Sequence, residues 1–211
     1  MKLLVSGCSI THGAELYNNF MHPENIKKSY SAHLAKILDV DLINVAMSAA
    51  SNEYIFHSLL EEIKKNNDLH SVIVMWTTSG RLYWKKKNRH YFIHAGHATS
   101  VENLVDFKMH DKMVHDSWIV SDHPQVLENL VAHHRFFVTD YFDDEKELEK
   151  LKNYKMALES VCLTKKIKLV QLSWENISHV GSWRKEQRHP NADEHKIIAD
   201  LIYETYYDNK Q

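Results

Sequence analysis

Short apolar runs alternate along this chain with longer segments in which apolar residues recur at helical spacing. The short runs predict buried strands at 2–6, 41–46, 71–76 and 167–172. The periodic segments predict helices at 26–38, 51–65, 125–138, 145–165 and 192–207. Because strands and helices alternate, the pattern predicts an α/β fold: a three-layer α/β/α sandwich with a mostly parallel, flavodoxin-like sheet.

The segment from 80 to 124 breaks this pattern. It is rich in His, Lys and aromatic residues and has no clear period. Loops of this length are uncommon in compact domains unless they have a function, so we interpret 80–124 as an insertion over a functional site. No repeat, low-complexity tract or Pro/Gly linker indicates a second domain, and one domain is predicted over 1–211.

Composition and charge narrow the function classes. Of the 211 residues, 44% are apolar and 26% are charged, which is typical of a globular protein. A net charge of −2 with His neutral argues against a broad nucleic-acid surface, although 85–87 is a local run of lysines. No apolar stretch approaches the roughly 18 residues of a membrane span. We therefore expect neither a nucleic-acid partner nor a membrane, while self-association stays open.

Cysteine and histidine usage bears on location and cofactors. Two cysteines and no signal-like N-terminus favour a reducing compartment, so the cytoplasm, or a virion assembled there, is the expected location. The sixteen histidines are mostly scattered and include no familiar zinc spacing. Neither a metal nor another cofactor is expected.

The first candidate for chemistry is Ser9, which follows the first predicted strand. Gly7 permits a tight turn there, and such a turn can expose the Ser9 hydroxyl and aim its backbone N–H into the same cavity. This geometry would supply a nucleophile and an oxyanion donor together. The alternative interpretation is a simple polar turn.

The second candidate is His189, just before the last predicted helix. Pro190 stiffens the chain, and Asn191 with Glu194 resembles a capping box that would fix the start of the helix. A general base needs such fixed placement, and Glu186 is near enough in sequence to orient the imidazole. The alternative is an ordinary helix start with a surface histidine.

Two further segments follow the second and third strands. Small residues around Ala49 allow backbone N–H groups to approach a ligand, and Asn52 stands at the start of a helix. Thr78 could offer a hydroxyl to an oxyanion, and Arg81 could pair with an anionic group. Close packing and ordinary strand-end polar residues are the alternatives for these segments.

Taken in order, these segments resemble the SGNH/GDSL hydrolase superfamily, in particular the divergent members found in tailed-phage genomes. Gly7-Cys8-Ser9 is similar to the family's Gly-Asp-Ser block, and 186–190 is similar to its Asp-x-x-His-Pro block, with Glu186 in place of Asp. The resemblance implies that Ser9 is the nucleophile, His189 the base and Glu186 the acid. The chain departs from the family at Ala49, where a Gly is expected, and at Thr78, the nearest position to an expected Asn.

The resulting prediction is a serine hydrolase that acts on a small acyl ester, such as an O-acetyl group on a saccharide. The N–H groups of Ser9 and Ala49, with Asn52 or Thr78, would hold the oxyanion. Cys8 as nucleophile and His123 as base are the alternative assignments. The rival functions are a catalytically weak or inactive binding or structural protein, for example a carbohydrate binder that uses aromatic residues at 83–92, and a nucleic-acid binder that uses 85–89.

Overall fold

The structure is a computed structural model, and it describes residues 1–17, 22–79, 81–86, 89–94, 143–186 and 188–208, with side chains outside 82–94. Its main sheet has four parallel strands in the order β2-β1-β3-β6. The strands of this sheet are β1 (Lys2–Ser6), β2 (Asp41–Asn44), β3 (Leu69–Trp76) and β6 (Lys168–Ser173). Strands β4 (Arg81–Lys86) and β5 (Arg89–His94) form a separate antiparallel hairpin.

Helices cover both faces of the main sheet. The described helices are α1 (Ser9–His12), α2 (Glu24–Lys28), α3 (Tyr30–Ile37), α4 (Asn52–Lys65), α5 (Asp144–Thr164), α6 (Trp174–Ile177) and α7 (Ala192–Tyr206). One core cluster joins alternate residues of the strands to α3 and α7, and the other joins the intervening strand residues to α4 and α5. The predicted three-layer α/β/α sandwich is therefore confirmed, and its strand order follows the flavodoxin-like pattern.

Local side-chain bonds explain two differences from the predicted elements. The single helix predicted at 26–38 is divided at Ser29, which has an extended backbone and donates from its hydroxyl to the carbonyl of Ile26 at 2.7 Å. The strand predicted at 41–46 ends at Asn44, whose side-chain oxygen accepts from the N–H of Ala46 at 2.9 Å. Short polar side chains compete in this way with regular secondary structure.

Part of the predicted insertion lies within the hairpin of β4 and β5. The remainder of 80–124 and the helix predicted at 125–138 lie outside the described residues. No described helix is both long enough and apolar enough to span a lipid bilayer.

The carboxyl ends of β1 and β3 lie side by side, because β1 pairs with β3 on one side and with β2 on the other. This position is the switch point of the sheet, where α/β folds of this order bind their ligands. Every predicted site residue follows a strand of this sheet or precedes α7.

Candidate active site

The turn after β1 is tightly packed around Gly7. A Cβ atom at Gly7 would lie 2.2 Å from Oγ1 of Thr11, so a larger residue would collide with α1. Helix α1 begins at Ser9 and ends at Gly13, which has a left-handed φ of 78°. The N–H of Ala14 then donates to the carbonyl of Ser9 at 2.9 Å and closes the turn.

Ser9 is half-buried in this turn, whereas the side chain of its neighbour Cys8 is buried. Within the part of the chain that the structure describes, neither the hydroxyl nor the backbone N–H of Ser9 makes a hydrogen bond. Both groups are therefore available to a ligand. In particular, the Ser9 hydroxyl makes no hydrogen bond to His189 in this structure.

The segment after β2 runs beside the Ser9 turn. The N–H of Met47 donates to the carbonyl of Gly7 at 3.2 Å, which brings the segment that contains Ala49 close to the Ser9 turn. Ala49 has a φ of 62°, a left-handed conformation that is uncommon for a residue with a Cβ. Its N–H has no acceptor among the described residues. This backbone conformation is one that glycine adopts more readily than alanine.

Asn52 is buried and its amide is already engaged. Its oxygen accepts from the N–H of Thr77 at 2.8 Å, and its nitrogen donates to the carbonyls of Thr77 at 3.0 Å and Thr78 at 3.4 Å. These bonds join α4 to the end of β3. The role of Asn52 as an oxyanion donor stays a prediction. Thr78 is exposed at the same strand end.

Arg81 reaches the segment that contains Ala49. Its Nη1 donates to the carbonyl of Ala50 at 3.2 Å, while its buried Nε has no partner among the described residues. A guanidinium with an unused donor beside this loop is suited to an anionic group. This arrangement agrees with the role predicted for Arg81 but does not test it.

His189 lies against the turn that carries Ser9. Its ring Nδ1 is 3.1 Å from Oε2 of Glu15, which is six residues after Ser9. Glu15 has a φ of 72°, so a second residue with a Cβ adopts the left-handed conformation at this site. Glu15 was not among the predicted site residues, because no motif or spacing in the sequence marks it.

Glu186, the predicted orienting acid, contacts other residues. Its carboxylate accepts from the hydroxyl of Ser182 and from Nε of Arg188, each at 2.5 Å, and these two bonds lower its pKa. The predicted Glu186–His189 contact is therefore absent from this structure. The reason is local: the guanidinium of Arg188 lies closer to Glu186 than the imidazole does, and it holds the carboxylate.

Arg188 also fixes the backbone of His189. Its Nη1 donates to the carbonyl of His189 at 2.9 Å and to Glu194 at 2.6 Å, and its Nη2 donates to the other oxygen of Glu194 at 3.0 Å. Glu194 completes the predicted capping box with Asn191 at the start of α7. The bonds from Arg188, followed by those from the backbone, lower the pKa of Glu194 to about 2.

A buried pair of side chains links α7 to the Ser9 turn. The hydroxyl of Tyr30 lies 3.1 Å from Oγ1 of Thr11, and its backbone N–H donates to Nδ1 of His195 at 3.1 Å. Burial raises the pKa of Tyr30, and burial also lowers the pKa of His195 to about 3, so His195 is neutral in the folded protein. With the Glu15–His189 contact, this link brings the two predicted catalytic turns to the same edge of the sheet.

Several expectations lie outside what the structure describes. The alternative base at position 123 is among them. So are the side chains at 82–94, on which the rival binding surfaces depend. In the described part of the chain, no group of three or more His, Cys, Asp or Glu side chains is arranged to hold a metal ion.

The fold and the site define an α/β protein with a half-buried serine in the turn after its first strand and a histidine segment in contact with Glu15, six residues further along. No family model and no curated protein matches the chain. Among solved structures, it is similar to a G-D-S-L family lipolytic protein from Desulfitobacterium hafniense, at 14% identity over 96% of this chain and 98% of the other, with a TM-score of 0.40. It is also similar to TesA, at 12% identity over 98% of each chain with a TM-score of 0.43. A third similar structure is a lipase/acylhydrolase from Enterococcus faecalis, at 17% identity over 97% of this chain and 94% of the other, with a TM-score of 0.40.

Proposed function

We propose that this chain is a serine hydrolase that cleaves a small acyl ester, with Ser9 as the nucleophile and His189 as the base. The observation that carries the proposal is the 3.1 Å contact between His189 and Glu15, because it brings the histidine turn against the turn that begins at Ser9. An O-acetyl group on a saccharide is the substrate we propose. On the cysteine count, we place the protein in the cytoplasm or in a virion assembled there.

The reaction would proceed through an acyl-enzyme. The oxygen of Ser9 attacks the ester carbonyl while its proton passes to His189, and the imidazolium then protonates the departing alcohol. Water, deprotonated by His189, hydrolyses the acyl-enzyme and regenerates Ser9. Catalytic hydrogen bonds often tighten only when substrate binds, so an unbonded Ser9 hydroxyl is compatible with this mechanism.

Charge on the tetrahedral intermediate would be held mainly by the backbone. Neither the N–H of Ser9 nor that of Ala49 has an acceptor among the described residues. With the amide of Asn52 engaged, the exposed hydroxyl of Thr78 is the remaining candidate for a third donor. Loss of one oxyanion donor typically costs about 10²–10³ in rate, so we expect slow turnover.

Two other predicted residues take supporting roles in this proposal. Arg81 would bind an anionic part of the substrate through its guanidinium, which lies against Ala50. Glu186 would act through Arg188, which it holds at 2.5 Å, and so help to fix the backbone of His189.

The test is a serine-to-alanine exchange with a matched control. Ser9→Ala should abolish turnover of p-nitrophenyl acetate, because the attacking oxygen is removed. Ser160→Ala, which changes an exposed serine on α5, should leave turnover unchanged. A fluorophosphonate probe should label wild-type protein at Ser9 and fail to label the Ser9→Ala variant. Equal turnover by the Ser9→Ala variant would refute the assignment.

One observation favours the rival function, a binding protein that has retained the fold. The Ser9 hydroxyl makes no hydrogen bond within the described residues, and the amide of Asn52 is occupied. A binder predicts that well-folded protein shows neither turnover nor labelling. It also predicts that calorimetry detects binding of an acetylated saccharide to the protein, with an affinity that Ser9→Ala leaves unchanged.

A further inference from the structure

We propose that Glu15, not the motif residue Glu186, is the positioning residue that sets the orientation and tautomer of His189. This inference rests on the proposed hydrolase function, in which His189 must accept a proton from Ser9. It assigns the orientation of the imidazole to Glu15, which follows the proposed nucleophile in the chain. The resemblance would instead give this role to Glu186, three positions before His189.

The proximity of Glu15 favours one tautomer. An ionised carboxylate only accepts hydrogen bonds, so Oε2 of Glu15, 3.1 Å from Nδ1, favours the neutral ring that carries its proton on Nδ1. Nε2 is then left with a lone pair, which is the form that can accept the proton of Ser9. A neutral imidazole in water mostly carries its proton on Nε2, so the carboxylate would reverse the preference of the free ring.

The backbone at Glu15 supports a functional role. Its φ of 72° is uncommon for a residue with a Cβ, and such conformations persist only where the surrounding structure imposes them. Gly13, two residues earlier, is also left-handed, and a Cβ there would lie 2.8 Å from the carbonyl oxygen of Asn25. The turn therefore doubles back after α1 and delivers the Glu15 carboxylate to His189.

The contacts of Glu186 explain why a second carboxylate is needed. Glu186 bonds to Ser182 and Arg188, and Arg188 in turn holds the carbonyl of His189. The two acids thus divide the work that one acid would do. Glu186 acts on the backbone of His189 through Arg188, and Glu15 acts on the ring.

The first experiment exploits the left-handed backbone. Glu15→Gly removes the carboxylate but suits a positive φ, so the variant should fold with an unchanged or raised melting temperature. Its kcat for p-nitrophenyl acetate should nevertheless fall about tenfold, a modest effect because the Glu15 side chain is 45% exposed, with KM unchanged. A merely structural role would instead lower the melting temperature. Glu159→Gln, at an exposed glutamate on α5, is the control with unchanged kcat.

The second experiment reads the tautomer without turnover. In a Ser9→Ala background at alkaline pH, long-range proton–nitrogen NMR should report the proton of His189 on Nδ1, with the signal assigned by its loss in His189→Asn. Glu15→Gly should move the proton towards Nε2, and Glu15→Asp should restore part of the original signal. Glu186→Gln should leave the tautomer unchanged.

The outcomes separate the two proposals. If wild-type protein has no turnover and no labelling at Ser9, the hydrolase function fails, although the tautomer experiment can still establish the Glu15 contact. If Ser9 is catalytic but Glu15→Gly leaves both kcat and the tautomer unchanged, the role of Glu15 is overturned. A tautomer change caused by Glu186→Gln would likewise overturn it.

Discussion

The two turns that meet at the site are held in different ways. The Ser9 turn is shaped by backbone conformation: Gly7 is closely packed, and Gly13 and Glu15 are left-handed. The His189 turn is shaped by charged side chains, chiefly the bidentate pair of Arg188 and Glu194. The proposed nucleophile is thus placed by backbone geometry and the proposed base by electrostatics.

This difference predicts what each turn tolerates. A backbone-held turn is sensitive to added side-chain atoms and less dependent on pH, because the backbone hydrogen bonds that close it involve no titrating group. A charge-held turn is sensitive to neutralisation of its carboxylates and weakens in acid. Variants in the two turns should therefore separate cleanly by the conditions under which they fail.

The largest effect should come from Gly7→Ala in the Ser9 turn. The new Cβ would lie 2.2 Å from Oγ1 and 2.8 Å from Cβ of Thr11, in a site with no exposed surface to relax into. We expect a loss of about 3 kcal/mol in the free energy of unfolding, the upper end of overpacking costs. Urea unfolding measures this loss.

A double-mutant cycle tests the cause of that loss. In a Thr11→Ala background the hydroxyl oxygen is gone, so Gly7→Ala should cost less than it does in wild-type protein. An equal cost in both backgrounds would show that the collision with Thr11 is not the reason.

The next effect should come from Glu194→Gln in the His189 turn. The Glu194 side chain is 7% exposed and Arg188 is 30% exposed, so we expect a loss of about 2 kcal/mol, between exposed and buried ion pairs. Glu186→Gln, at an exposed carboxylate on the same arginine, should cost less. Urea unfolding at pH 7 ranks the two variants, and an equal or larger loss for Glu186→Gln would contradict the assignment.

The pH dependence of this loss has a definite sign. The pKa of Glu194 is lowered from 4.5 to about 2 in the folded protein, so its stabilising contribution is complete above 4.5 and is lost as the pH falls towards 2. The difference between wild-type protein and Glu194→Gln should therefore narrow over that window. A constant difference would mean that the carboxylate contributes by shape and not by charge.

The fold was predictable wherever local pattern and tertiary contact agree. A helix was predicted at 51–65, and the structure has α4 at Asn52–Lys65, with Ser51 accepting from the N–H of Tyr54. The strand after it was predicted from its continuous apolar run, which is buried on both faces in the structure. Ser29 and Asn44 escaped prediction because their effect depends on side-chain bonds that pattern alone does not encode.

The site was predictable only where its residues are neighbours in sequence. The capping box of Asn191 and Glu194 follows from their spacing and is present. The contact between His189 and Glu15 does not follow from spacing. Sequence proximity favoured Glu186, whereas folding brings Glu15 to His189 from the other end of the chain. A competing cation, Arg188, decided between the two carboxylates, and its reach is a tertiary property.

The smallest effect should come from Ala49, whose Cβ is held in a left-handed conformation that favours glycine. An alanine held at a φ of 62° is destabilised by about 1 kcal/mol relative to a right-handed conformation, and glycine would remove that strain. The larger chain entropy that glycine loses on folding offsets part of this gain. Ala49→Gly should therefore stabilise the protein by about 0.5 kcal/mol. Ala50→Gly, at the buried neighbour without a positive φ, should instead destabilise it by about 1 kcal/mol. Opposite shifts of the urea midpoint in two adjacent alanines would establish that the wild-type loop is strained at position 49, whereas a loss in both would show that it is not.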